Sequence, residues 1–455
     1  MNAWLAKLGL GKPEQRAWAM YDWANSAMVT TIITAVFPIF YEQVACAGLA
    51  PAVATRRFAV STTIGMVLIA LISPVLGAIA DLRGGKKRML GGFLAVGLAS
   101  VGGMFFIYKG DWLLASVLFI LANIGANGSF VFYDSLLPYV ARDEEVDRVS
   151  TAGYALGYLG GGVLLAANLA WIKMPQWFGL PSGPGLTDAE LTLPTRLSFV
   201  SVVVWWFLFS IPLFRRVPEP AVVIGNDGPT GGGRFPVRAA LWRLVETGRE
   251  LRRYRQAFLM LLAFLIYNDG VGTIMRMATT YATELKIDTG TVIAAILLVQ
   301  FVGIPFTFLF GALASRIGPR PSIAVGLAVY VAICLFGYFL RTGLQFLILS
   351  FMVGMVQGGT QALSRSLFNS LVPRQKSGEF FGFFGTVEKF AGILGPATFA
   401  VINLMTGSSR GAIVAVIVFF VIGGGLLAVV DIGEGQRVAR VEEEDAAEVL
   451  AAQPG

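Results

Sequence analysis

The sequence predicts an all-α integral membrane protein with twelve transmembrane helices in two pseudo-symmetric six-helix bundles. Three observations carry this. The 455 residues are 56% hydrophobic and 14% charged, against roughly 25% charged in soluble domains, and mean hydropathy is +0.70. Apolar runs of about 20 residues, the length of a membrane-crossing helix, recur along the chain. The chain also repeats itself. Gly77–Arg88 (GAIADLRGGKKR) returns as Gly311–Arg320 (GALASRIGPR). Tyr133–Pro138 (YDSLLP) returns as Phe368–Pro373 (FNSLVP), and Gly157–Gly161 as Gly392–Pro396, all at a spacing of 234 or 235 residues. Such parallel duplication is an architecture of transporters.

The twelve spans fall at about 20–41, 58–80, 89–108, 112–138, 150–172, 195–214, 256–282, 290–314, 321–340, 343–368, 378–403 and 409–430, each near the length that crosses about 30 Å of hydrocarbon. The domains follow: a first bundle at 1–214, a linker at 215–255, a second bundle at 256–430 and an acidic tail at 431–455. With the N-terminus inside, 24 of the 35 Lys and Arg fall in inside segments, seven in outside loops and four within spans. This bias predicts both termini in the cytoplasm. Residues 1–17 read as a short cytoplasmic lead without a signal-peptide pattern. The linker holds nine Arg and no Lys. Gly225–Gly233 reads as a tether, and 238–255 as an amphipathic helix on the inner membrane surface. The tail, with seven acids and two Arg, reads as disordered.

Composition removes several classes of function. The chain has no His, which excludes a His-based relay, triad or metal site. No metal and no cofactor are expected. Cys46 and Cys334 give no disulfide framework. No G-x-x-x-x-G-K-[ST] loop is present. The net charge of +7 marks the inner membrane side rather than a nucleic-acid partner. The expected partners are a small-molecule substrate and the surrounding lipids, with the chain a monomer.

Polar residues inside a span are costly and are functional candidates by default. Four spans carry them at i, i+3/i+4 spacing, hence on one helical face. These are Asp22, Asn25, Ser26 and Thr30 in span 1, and Asn123, Asn127 and Asp134 in span 4. In span 7 they are Asp269, Thr273, Arg276 and Thr280, and in span 10 Gln357, Gln361 and Ser364. Stripes in every third span predict one shared cavity. Arg276 is expected to hold an anionic group of the substrate or to pair with an acid. Arg365, near the inner end of span 10, reads equally as a snorkelling side chain. Asp22 and Asp134 lie near inner ends, where water and basic loops keep them ionised, and they read as gating or orienting the helices rather than carrying a proton. Without His, a proton carrier is Asp or Glu, and Glu388, with Asp269 as second candidate, fits that role. Glu388 and Lys389 point about 100° apart on a helix and do not simply pair. The rows Gly153/Gly157/Gly161 and Gly378/Gly382 read as packing seams.

The duplicated twelve-span plan and the loop at 77–88 resemble the major facilitator superfamily. Gly77, Ala80, Asp81 and Gly84 match its signature between the second and third helices, with basic charge at Arg83, Lys86 and Lys87. The resemblance implies a cytoplasmic gate at Gly77, Asp81, Arg83, Gly84, Lys86 and Lys87. It implies Asp81 capping a neighbouring helix or pairing with an Arg, and a cavity lined by helices 1, 4, 7 and 10. Ser315 replaces the Asp in the second copy. Tyr21-Asp-Trp-Ala-Asn-Ser-Ala27 and Tyr267-Asn-Asp-Gly270 resemble the vacuole-effluxer-like branch, whose yeast members release amino acids from the vacuole. The implied function is a proton-coupled secondary transporter of a small polar solute, an amino acid among the options, and not an enzyme. The alternatives are a lipid or lysolipid transporter and a non-transporting receptor or assembly protein.

Overall fold

The structure is a computed structural model. It describes residues 2–220, 253–390 and 409–451, with 398, 401, 402 and 405 between the last two segments. The described residues form helices and connecting turns, with no strand. Eleven helices are long and apolar enough to cross a membrane: α1 (Pro13–Ala45), α2 (Pro51–Arg83), α3 (Lys86–Gly103), α4 (Trp112–Ser135), α5 (Val146–Lys173), α6 (Asp188–Arg216), α7 (Arg255–Glu284), α8 (Thr289–Ile317), α9 (Pro319–Tyr338), α10 (Gly343–Asn369) and α12 (Arg410–Val429). The remaining predicted span begins with α11 (Ser377–Phe390), and its second half lies outside the described residues. So do the tether and most of the predicted amphipathic linker helix.

The helices bury one face and leave large apolar side chains bare on the other. Phe207, Leu309 and Val421 are 53–62% exposed at mid-span, where lipid is their solvent. In α1 the residues Val29–Ala35 widen into a π-helical stretch. There Val36 N–H reaches back to Thr31 O and Thr34 Oγ1 to Val29 O, a local distortion of the kind that accumulates at functional helices.

The duplication is visible in matching bonds. Lys87 Nζ donates to Val217 O at the end of α6. Arg320 Nη1 donates to Val430 O at the end of α12. Each cation satisfies a carbonyl left open at the C-terminus of its half's last helix.

The halves meet along two seams. In one, Gly77 of α2 lies so close to α11 that a Cβ there would stand 2.0 Å from Gly378 O. Gly382 sits against Ser73 and Pro74, and Thr386 Oγ1 donates to Ala70 O at 2.8 Å. In the other, the Tyr158 ring of α5 lies over Gly303 of α8 and Gly358 of α10. Small residues permit both approaches, because dispersion contacts drive helix association in lipid.

Both chain ends pack on the protein, and the expectation of a disordered tail is corrected. The lead contains a helix at Asn2–Lys7, and Lys12 Nζ reaches Glu145 at 2.8 Å. The tail forms α13 (Ile432–Ala451) and packs on the protein. Ala439 is buried, Val438 joins the second half's core, and Gly435 meets Leu371 and Gln256. Its acids find cations: Glu442 pairs with Lys376 at 3.1 Å and with Arg253, and Glu443 with Arg374 at 3.6 Å. The acidic composition is thus matched by basic side chains beside it, and an apolar row holds the helix down.

Candidate functional site: a charged network between the two halves

The loop between α2 and α3 joins the two halves at the end that carries the lead and α13. Helices α6, α8 and α10 begin with their own side-chain caps, Thr187, Asp288 and Thr342. α11 borrows its cap from the other half. The Asp81 carboxylate accepts from Gly378 N at 3.0 Å and Glu379 N at 2.7 Å, two of the donors a helix start leaves open. Lys86 Nζ stands 2.9 Å from Asp81 Oδ1 and donates to Ser377 Oγ at 2.6 Å. Both Asp81 and Lys86 are buried. Ser377 Oγ in turn donates to Ser135 O at 3.0 Å. Gly84 and Gly85 turn the chain at φ +69° and +86°, values that favour glycine. The capping partner of Asp81 is therefore α11 and its cation is Lys86, not an Arg. Of the other gate residues, Lys87 ties the loop to α6, and the Arg83 side chain lies outside the described residues. In the second copy, Ser315 Oγ donates to Ala312 O of its own helix.

Deeper in, Arg365 is 1% exposed, which overturns the snorkelling reading. Its Nη1 lies 2.9 Å from Asp134 Oδ1 and 3.5 Å from Asp22 Oδ2. Nε and Nη2 donate to Ser150 Oγ and Ser150 O, each at 2.9 Å. The Tyr154 and Trp18 rings flank the guanidinium at 4.5 and 4.9 Å. Tyr133 O–H donates to Asp22 Oδ2 at 3.2 Å. Asp22 and Asp134 are therefore held by a buried cation, not kept in water. The glycine row of α5 makes this possible: a Cβ on Gly153 would stand 3.0 Å from Asp22 Oδ2, and one on Gly157 3.1 Å from Asp22 Oδ1.

More cross-links lie at the same end. Ser150 Oγ donates to Ala362 O at 2.7 Å, Ser366 Oγ to Asp147, and Tyr139 O–H to Arg374 O at 2.6 Å. Arg374 also pairs with Asp143 at 3.2 Å. Every one of these joins the first half to the second, so the protein is closed at this end.

The polar stripes divide when placed in space. Ser26, Asn127, Gln357, Gln361 and Glu388 are half-buried. Glu388 acts electrostatically on Asp134 and Tyr154 of the other half. At 1.5 Å rise per residue, Gln357 and Glu388 lie about 16–18 Å from the closed ends of α10 and α11, near mid-membrane. Arg365 lies about 6 Å from its end. Other described stripe residues are buried within the protein. Asn25 is fully buried, and neither of its amide atoms has a hydrogen-bond partner among the described residues. Asn123 donates to Phe119 O of its own helix and sits beside Gly65 of α2. Thr273 is buried, donates to Asp269 O, and lines an apolar cavity of about 30 Å³ enclosed by α7, α9, α10 and α12 of the second half alone. Asp269 is buried within the same half. The side chains of Arg276 and Lys389 lie outside the described residues. Sequence reasoning missed the Arg365 trio, although Arg365 follows Gln361 by four residues on the very stripe it described.

Comparison with known proteins decides the family. The family model described as "Vacuole effluxer Atg22 like" matches residues 51–440. The chain belongs to the Atg22-like family. The MFS-type transporter YxiO of Bacillus subtilis is 36% identical over 425 residues, 92% of this chain and 94% of YxiO. Autophagy-related protein 22 of Coccidioides immitis is 26% identical, covering 85% of this chain and 73% of its own length. That of Yarrowia lipolytica is 27% identical over 322 residues, and the match spans about half (52%) of the Yarrowia protein. In fold, the chain is similar to the major facilitator transporter FucP in the outward conformation, with TM-score 0.70, 14% identity and coverage of 93% and 99% of the two chains. It is equally similar to a double Trp mutant of XylE, with TM-score 0.71, 14% identity and coverage of 94% and 98%. This Atg22-like protein is a multi-pass integral membrane secondary transporter of the major facilitator superfamily.

Proposed function

We propose that the protein is a proton-coupled transporter of a small zwitterionic solute, with amino acids as the class, working by alternating access. The membrane is proposed to be a bacterial inner membrane, with the closed end and both termini on the cytoplasmic side, following the bias of Lys and Arg. The observation that carries the reading is the set of half-buried polar side chains near mid-membrane, contributed by both halves. Glu388 provides an anionic partner for an ammonium group. Asn127, Gln357 and Gln361 provide amides for the remaining polar atoms, and Arg276 is proposed as carboxylate anchor. An intramembrane carboxylate and three amides fit a charged, hydrogen-bonding solute better than an acyl chain.

The purified protein in detergent tests this against amino acids, sugars, organic ions and lysolipids by thermal shift, followed by uptake into proteoliposomes. An amino acid that raises the melting temperature and accumulates is expected. Stabilisation by lysolipid alone would move the assignment to lipid transport. Arg276→Gln is expected to abolish uptake while leaving a folded protein, and uptake at normal affinity would remove Arg276 from the site.

A further inference from the structure

We propose that Asp22, Asp134 and Arg365 form the proton-binding switch of the inner gate, one layer below the solute site. The inference rests on the proposed proton-coupled transport and deepens it, because it moves the proton from Glu388 to the gate. Its first support is a charge count. The two carboxylates share one guanidinium, and among the described residues neither makes an ion pair with any other cation. Among the described residues, the groups facing them add no second cation: Trp18 from α1, Tyr133 from α4, Ser150 and Tyr154 from α5, and the Glu388 carboxyl from α11. Asp147, one turn nearer the closed end of α5, is engaged with Ser366. With all groups ionised the trio carries one surplus negative charge in a buried setting, a costly state that one proton relieves.

The second support is where the bonds run. Asp22 and Asp134 belong to the first half and Arg365 to the second, so both ion pairs cross the seam that opens when the inner gate opens. The two carboxylates are not equivalent. The Asp134 side chain is 15% exposed and the Asp22 side chain 5%. Asp22 also accepts from Tyr133 and is seated on Gly153 and Gly157. Asp134 therefore receives the proton, and Asp22 retains its place beside Arg365. A proton on the Asp134 carboxylate ends its ion pair with Arg365 Nη1, 2.9 Å away, leaves a weaker neutral hydrogen bond in its place, and neutralises the surplus charge. No covalent bond between heavy atoms changes. The hold between α4 and α10 is weakened, and with it one tie across the gate.

The test needs no knowledge of the solute. In a background with Cys46→Ser and Cys334→Ser, Val131→Cys places a thiol at a buried seam position against Gly385. Its rate of maleimide labelling in nanodiscs reports opening of the gate. With the trio intact, labelling is expected to quicken as pH falls. Asp134→Asn is expected to label fast at every pH, and Asp134→Glu to restore the pH dependence. Glu388→Gln is expected to shift that dependence to lower pH without abolishing it. Labelling that ignores pH, or that loses its pH dependence in Glu388→Gln and keeps it in Asp134→Asn, overturns the proposal. Absence of amino-acid uptake together with the expected labelling pattern would overturn the solute reading and leave the switch standing.

Discussion

At the scale of single residues, the closed end holds buried charges whose partners lie across the seam. Asp81 both caps α11 and holds Lys86. Removing one member of a buried pair leaves the other uncompensated, at a cost of about 3–5 kcal/mol. Asp81→Ala is expected to lower the melting temperature in detergent and to speed labelling of Val131→Cys, and an unchanged labelling rate would deny the carboxylate its role in closure. Gly77→Val tests the backbone approach separately. Its side chain has no room against Gly378 O, so the seam is expected to part with no change in charge. The sequence made Asp81 readable because its loop carries a recognisable pattern. It did not reveal that the cap goes to α11, since the two meet across 297 residues of chain. Arg365 shows the same limit. Its stripe gives the face of α10, while its burial depends on acids that α1 and α4 bring from the other half.

At the scale of elements, α13 braces the closed end. Arg374 pairs with Asp143 of the first half and with Glu443 of α13, and Lys376 with Glu442. Partly exposed pairs of this kind contribute up to about 1 kcal/mol each and weaken with salt. A stop codon after Asp431 is therefore expected to raise labelling of Val131→Cys modestly, more at low salt than at high salt. Equal labelling with and without α13 would reduce it to a passive appendage. The lead offers a pH handle outside the membrane. The hydrogen bond from Lys12 holds the Glu145 carboxyl below its usual range. A carboxyl lowered in the folded state contributes stability above its unfolded pKa, and loses it as pH falls through the folded value. Proteolysis of the lead is expected to rise only in acid, and Lys12→Ala to remove that acid dependence. The tail misled sequence reasoning because a count of acids does not show the facing cations. Its apolar row, Ile432, Gly435, Val438 and Ala439, was the available sign of a docked helix.

At the scale of the whole molecule, the fold was legible from apolar runs, the 234–235-residue repeat and the loop signature. Depth was not, because helical spacing tells which face a residue shares and not what lies opposite. Asn123 and Thr273 sit on the predicted stripes yet face neighbours within their own halves, whereas Asn127 and Gln357 are half-buried near mid-membrane. Orientation is testable on intact cells. Ser182→Cys, beside Gly183 with its φ of +111°, is expected to react with an impermeant thiol reagent from outside, and Gly232→Cys to stay protected. Labelling of Gly232→Cys would invert the topology.

The claim that solute and proton move together is tested most directly by a pH-sensitive dye sealed inside proteoliposomes. On addition of a solute that stabilises the protein, the wild type is expected to change the lumenal pH in step with uptake, while Asp134→Asn exchanges solute without any pH change. Solute uptake by the wild type with no movement of protons would contradict the account.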